Sequence, residues 1–381
     1  MKKLIMGLAL SSLILVGCSS TNVNSSSTPK EITWKYGGSL PAPKGFTKQY
    51  GVAGPLAGSL EDYIVVAGGA NFPYKPVLEG GAKKNYPDLY MLKDNNGKLE
   101  VIAHKQLASE TGYGASVTTE NGIYYIGGTS DKAVSNEILL LTLNKDKKDI
   151  TVSKVGELPF TFHSGTATYR NEKLYIVAGK QDGKDSNNFY QYDLVTKQIE
   201  ALPNFPGEKR AQPISQILKK GNKEMLFVFS GGSNIAYTDG YAYDFDTKQW
   251  QKAADVKLNG YDISLLGASS VKLNESELLV VGGFNKTIYD DAVKNLGTLK
   301  DKQLQEFKTK YFTTDPQDFN WNKNILIFNA NTNSWKTIGE VPFNAPCGEG
   351  LILIGNKIYS INGEIKPGVR SERMYIGTIT N

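Results

Sequence analysis

Six short apolar runs that close on glycine constrain this chain more than any other feature. They are YIVVAGG ending at Gly69, IYYIGG at Gly128, LYIVAG at Gly179, LFVFSGG at Gly232, LLVVGG at Gly283 and IYSING at Gly363. Successive closing glycines lie 59, 51, 53, 51 and 80 residues apart. A period near fifty marks a repeat whose unit is one small sheet, too small to bury both of its faces alone. Each glycine run is followed by a second β-rich segment, such as DLYMLK from Asp88, NFYQYDL from Asn188, YAYDFDT from Tyr241 and NILIFNA from Asn324. A third often carries tryptophan, as in KQWQKAADV and NSWKTIGEVP. Together these give four antiparallel strands per unit. With 39 glycines, 21 tyrosines and almost no helical periodicity, the fold class is all-β, and 381 residues suffice for one large domain.

The two ends of the repeat predict how the array closes. The last unit stops after its third strand, RMYIGTIT at 373–380, and EITWKYGGSLP at 31–41 reads as a fourth strand with no unit before it. The glycine-closed repeat resembles the kelch motif, which implies a β-propeller, and pairing the two end segments completes six blades over 31–381, closed by the N-terminal and C-terminal strands.

Residues 1–17 read as a lipoprotein signal peptide. Lys2 and Lys3 precede an apolar stretch from Leu4 to Val16, too short to span a membrane. LVGC at 15–18 resembles a bacterial lipobox, which makes Cys18 the lipidated residue and 18–30, rich in serine, a flexible tether. An ordinary cleaved signal with an incidental cysteine is the simpler alternative. The expected location is outside the cytoplasm, on a membrane facing the periplasm, with the lipid anchor as the only membrane contact.

Charge excludes several partners. Without Lys2 and Lys3 the formal net charge falls from +5 to +3, and no basic run forms a nucleic-acid stripe. With Cys18 lipidated, Cys347 is left without a disulfide partner and reads as a small packing residue. Two histidines, His104 and His163, are too few for a metal cluster, and no cofactor is expected.

In a four-stranded unit running alternately up and down, the loop between the second and third strands and the loop to the next unit emerge on one face. The unusual segments all belong to that face: an enlarged loop at 70–87, an insertion from Phe284 to about Asn322, and the charged segment from Glu364 to Arg370. Loops between units add Tyr113, His163, Arg210 and Glu349. Only four of 43 basic residues are arginine, at 170, 210, 370 and 373. Arg210 and Arg370 fall on this face, where their planar forks suit either a ligand carboxylate or rim salt bridges. Within the insertion, Ile288, Val293 and Leu296, then Leu304, Phe307 and Tyr311, space one or two short amphipathic helices. They either pack over a blade or cover the central channel.

The stretches GVAGPLAGSLEDYIVVAGGANFP, GAKKNYPDLY, KYFTTDPQDFNWNKNILIFNANTNSW and INGEIKPGVRS together resemble the N-acetylneuraminate epimerases, the sialic acid mutarotases, across most of 31–381. In better-known members the GEIKPGVR-like segment lies mid-chain and precedes the GVAG-like one, so the order here resembles a cyclic permutation. The resemblance implies interconversion of the α and β anomers of N-acetylneuraminate, a small sugar acid. The family's catalytic glutamate and arginine fall on Glu364 and Arg370. A PRDQ-like loop corresponds to GEKRAQ and puts Arg210 and Gln212 in the substrate-binding set. An RAYG-like loop becomes TGYG, keeping Tyr113 but placing Thr111 where relatives have arginine. Lys84 and Asn71, within the quoted stretches, complete that set. A non-catalytic carbohydrate-binding lipoprotein and a protein-interaction propeller are the competing classes.

Overall fold

The computed structural model describes residues 31–144 and 148–380; the expected signal peptide, Cys18 and the expected tether lie outside them. Six antiparallel sheets contain a four-stranded path each. Their first strands are Leu56–Leu60, Ala115–Thr119, Thr166–Arg170, Ile214–Lys220, Ser269–Lys272 and Gly350–Ile354. Each of these touches the first strand of the next sheet, and Gly350–Ile354 in turn touches Leu56–Leu60. In the sixth sheet the fourth strand is Glu31–Ser39, paired antiparallel with Arg373–Thr380 from Glu31 opposite Thr380 to Ser39 opposite Arg373.

Burial explains the segments. The second strand of a sheet is covered on both faces and can be apolar nearly throughout, as in Gly122–Ile126 (GIYYI) and, after its first residue, Glu277–Val281 (ELLVV). Outer strands meet water and interleave polar residues, as in Ser334–Glu340 (SWKTIGE). Apolar side chains then fill the space between consecutive sheets. Ile64, Val66, Tyr90 and Leu92 of the first sheet, for example, pack with Ile352, Tyr359, Ile361 and Met374 of the sixth. Equivalent layers join each neighbouring pair, so the core is six interlayers rather than one centre.

Just before each first strand stands one residue in the left-handed region: Gly54, Tyr113, Ser164, Gln212, Gly267 and Gly348. Five of the six steps between them are direct backbone hydrogen bonds. Tyr113 N–H donates to Gly54 O, Ser164 to Tyr113, Gln212 to Ser164, Gly348 to Gly267 and Gly54 to Gly348, all at 2.6–2.7 Å. The left-handed turn aims each N–H along this circuit. At Gly54 it also permits a close approach, because a Cβ there would meet the Tyr113 ring at 2.5 Å.

The insertion forms two helices, α1 (Lys286–Thr298) and α2 (Asp301–Thr313). Asn285 caps α1 by accepting from Ile288 N–H. Lys286 and Asp290 of α1 bind the backbone of Ala236, through its carbonyl and its N–H respectively. At the other end, α2 contacts the short turn at Val77–Glu79. The insertion therefore reaches from the fourth sheet's loop to the first sheet's loop. Among the described residues no helix is long and apolar enough to cross a membrane.

Candidate active site

The charged segment is a small hairpin, Glu364–Lys366 paired with Val369–Arg370. Pro367 and Gly368 make its turn, with Gly368 at φ 82°. Its base is fixed to the circuit: Cys347 and Glu364 exchange both backbone hydrogen bonds at 2.8 Å, next to Gly348. The hairpin places Glu364 opposite Arg370. Arg370 Nη1 donates to Glu364 Oε1 at 2.9 Å, and Gly368 N–H donates to the same oxygen at 2.8 Å. Among the described residues no donor reaches Oε2. Arg370 is nearly buried, with its guanidinium 4.9 Å from the centre of the Phe72 ring, supplied by the 70–87 loop.

Around this pair the loop-rich face gathers further groups. Tyr113 lies beside Arg370 and Glu364; burial raises its hydroxyl pKa, and the Arg370 charge opposes that rise. Lys83 stretches over the Tyr113 ring at 4.7 Å. Its ammonium pKa is lowered by burial and by the Arg370 charge, while Glu364 opposes. His163 is held below the usual histidine range by burial and by Lys180 and Lys83. Glu364 and Pro367 share a cavity of about 120 Å³ with Phe284, Tyr289, Tyr311 and Trp321. Tyr311 comes from α2, and its pKa is raised by burial and by the Glu364 carboxylate. Lys366 ties the hairpin to α2, donating to the carbonyls of Phe312 at 3.2 Å and Thr314 at 2.8 Å. Arg370 pairs with the Glu364 carboxylate and Lys83 adds positive charge nearby, while the cavity Glu364 borders is lined by aromatic rings.

The structure brings together Glu364, Arg370 and Tyr113 of the expected set. Gln212 stands in the circuit and lines the central channel, a cavity of about 230 Å³ that Tyr113 also lines. Three expectations need correction. Arg210 is fully buried, its fork held by Asp239, its Nη1 and Nε donating to the carbonyls of Ser230 and Glu208, and its plane between Phe205 and Tyr237. It braces its own loop and offers no free edge. Lys84 is spent on Glu110 and Asp131, each at 3.2 Å. Asn71 is buried, donating to Gly51 O and accepting from the Tyr86 hydroxyl, both at 2.7 Å. The residues missed are Lys83, immediately before Lys84 in the Lys-Lys pair, and Tyr311 and Tyr289 of the insertion. The amphipathic spacing marked Tyr311 as a packing residue and carried no signal that it faces Glu364. Among the described residues no cluster of His, Cys, Asp or Glu could hold a metal.

A model of the N-acetylneuraminate epimerases matches residues 10–152 and 155–381, nearly the whole chain. The chain belongs to this family. The N-acetylneuraminate epimerase of Salmonella typhi is 29% identical over 228 residues, 58% of this chain and 56% of the relative. That of Yersinia enterocolitica is 28% identical over 260 residues, 65% of this chain and 63% of the relative. A kelch domain-containing protein of Vibrio cholerae is 31% identical over 235 residues, 58% and 63% of the two chains. A solved structure described as "Structure of YjhT" superposes with a TM-score of 0.51 at 26% identity, covering 59% of this chain and 64% of that one. This epimerase-family chain therefore spans less than two thirds of those relatives' lengths, and the likeness to YjhT supports an all-β, propeller-like architecture.

Proposed function

We propose that the protein is a mutarotase that interconverts the α and β anomers of N-acetylneuraminate, with Glu364 as acid/base and Arg370 as the group that holds the sugar carboxylate. The observation that carries this reading is the Glu364–Arg370 pair, whose glutamate borders a cavity that Tyr311 also lines, in a chain of the N-acetylneuraminate epimerase family. Mutarotation needs no redox step. Glu364 Oε2 takes the proton of the anomeric hydroxyl while the bond from the anomeric carbon to the ring oxygen breaks, and it then passes that proton to the former ring oxygen, leaving an open form with a ketone and a hydroxyl. Rotation presents the other carbonyl face to the ring hydroxyl, and the reverse transfers close the ring as the other anomer. Arg370 keeps Nη2 for the sugar carboxylate after spending Nη1 on Glu364. Lys83 adds positive potential without touching the reacting atoms.

The six sheets are read here as blades of a kelch propeller closed by the pairing of 31–39 with 373–380. The segment order is read as a cyclic permutation, for which colinear matches limited to about three fifths of each chain are the expected outcome. Export and lipid anchoring through Cys18 belong to the same proposal.

Freshly released α-N-acetylneuraminate, followed by NMR with and without protein, tests the reaction. Faster equilibration is expected, and Glu364→Gln should abolish it while leaving the thermal midpoint nearly unchanged. Saturable shifts of the sugar signals with no acceleration would identify a binding module instead.

A further inference from the structure

Lys83 stands beside the Glu364–Arg370 pair without an ionic partner of its own. The cations of the loops and helices around it are engaged. Lys84 holds Glu110 and Asp131 at 3.2 Å each, Lys180 holds Asp185 at 2.7 Å, and Lys286 holds Asp290 at 2.7 Å. Lys366 is spent on the carbonyls of Phe312 and Thr314, and Arg210 is enclosed with Asp239. Thr111, at the position where relatives have arginine, is buried and donates to the Tyr125 hydroxyl at 3.0 Å, so that loop brings no charge. Among the described residues no carboxylate is within ion-pair reach of the Lys83 ammonium, which stands 4.7 Å from the centre of the Tyr113 ring instead.

The acids that Lys83 feels are already committed. Asp131 has both oxygens occupied, Oδ2 by Lys84 and Oδ1 by the N–H and the side-chain amide of Asn85. Glu364 accepts from Arg370 and from the Gly368 N–H. At the pair, two cations therefore face one carboxylate. Burial and the Arg370 charge lower the Lys83 pKa, a repulsion that Glu364 and Asp131 offset only in part. Lys83 is nonetheless an exposed residue, open to an arriving ligand. An anion set between Lys83 and Arg370 would supply the charge that the protein leaves out.

We propose that Lys83 is the second residue that holds the sugar carboxylate, one carboxylate oxygen accepting from Arg370 Nη2 and the other from Lys83 Nζ. The ligand rests on the functional reading above; the choice of residue rests on the unpaired ammonium beside Arg370. Lys83 is then a specificity residue. It selects sugar acids over neutral keto sugars and leaves ring opening to Glu364. Because the carboxylate is not a reacting group, Lys83 grips it equally before and during ring opening, which affects KM and not the rate at saturation.

Saturable NMR shifts of N-acetylneuraminate and of its carboxamide, the same sugar without the charge, test it in the wild type, Lys83→Met and Lys83→Arg, with mutarotation followed on the acid. The wild type is expected to prefer the acid. Lys83→Met should weaken binding of the acid about thirtyfold, the scale of one charged hydrogen bond, raise KM in parallel and bind the amide as the wild type does. Lys83→Arg keeps the charge and should keep the preference. An acid-to-amide preference in Lys83→Met equal to that of the wild type, the result for a lysine that only lies solvated on the rim, overturns the proposal. So does a wild type that does not prefer the acid, or a Lys83→Arg protein as weak as Lys83→Met. Acid-selective binding that Lys83→Met abolishes, in a protein that does not accelerate mutarotation, would retain Lys83 as a carboxylate ligand and reject the mutarotase reading, so the two failures are distinguishable.

Discussion

Two glutamates fifteen positions apart, Glu349 and Glu364, receive opposite treatment from the fold. Glu364 has Arg370 and the Gly368 N–H on one oxygen. Glu349 is buried, and neither of its carboxylate oxygens makes a hydrogen bond; the adjacent Ser269 hydroxyl donates to the Glu349 carbonyl instead. Burial pushes the Glu349 pKa well above that of an ordinary carboxyl. The folded protein therefore holds this proton more tightly than the unfolded chain. The associated stability is complete below the ordinary glutamate range and is lost as pH rises through the raised value. Glu349→Gln should raise the thermal midpoint at neutral and alkaline pH, with the gain vanishing toward pH 4, which a melting series across pH would show. Tyr311→Phe keeps the ring and removes the one hydroxyl that α2 brings to the Glu364 cavity. It should slow mutarotation about tenfold, the scale of one hydrogen bond made in the transition state, with little change in melting. At this scale the charged hairpin was legible because one repeat carried charge where the others do not, whereas the contact of Arg370 with Glu364 required the structure. Arg210, Lys84 and Asn71 were misread because a side chain's partner comes from elsewhere in the chain: Asp239, the Glu110–Asp131 pair, and Gly51 with Tyr86.

Among the elements, the insertion shows what periodicity can and cannot say. Apolar spacing from Ile288 to Tyr311 foretold two short helices, and α1 and α2 form there. Where they lie is decided by contacts that no spacing records: Lys286 and Asp290 on Ala236 at one end, and Lys366 on the last carbonyls of α2 at the other. The Lys366 ammonium supplies donors to carbonyls that a helix end leaves open, worth about 1–2 kcal/mol when partly shielded. Lys366→Met should therefore speed amide hydrogen exchange across α2 by about tenfold and leave exchange in the six sheets unchanged. Equal exchange in α2 would mean that its apolar contacts with Phe319 and Trp321 suffice.

For the whole molecule, the repeat period and the unmatched end segments made the sheet count and the terminal pairing readable, because a four-strand unit missing one strand needs that strand supplied from elsewhere. The backbone circuit was not readable. Its six positions hold glycine, tyrosine, serine and glutamine, and only their shared left-handed conformation relates them. Because Glu31 lies opposite Thr380, a link of a few residues would turn the two terminal strands into a hairpin. A permuted chain so joined and opened between Gly221 and Asn222, in a turn on the face away from the site, should fold, keep its mutarotase rate and melt no lower than the parent. Loss of folding would show that the order of synthesis matters to reaching this architecture.

That pairing also sets a schedule. Strand 31–39 has its partner more than three hundred residues downstream, so the sixth sheet, which bears Glu364 and Arg370, cannot be finished until residue 380 has been made. A chain cut short anywhere before that point keeps one unsatisfied strand at each end and lacks a completed site. On the proposed function, catalytic competence thus arrives last and all at once, and an interrupted chain presents the bare strand edges that proteases and chaperones recognise.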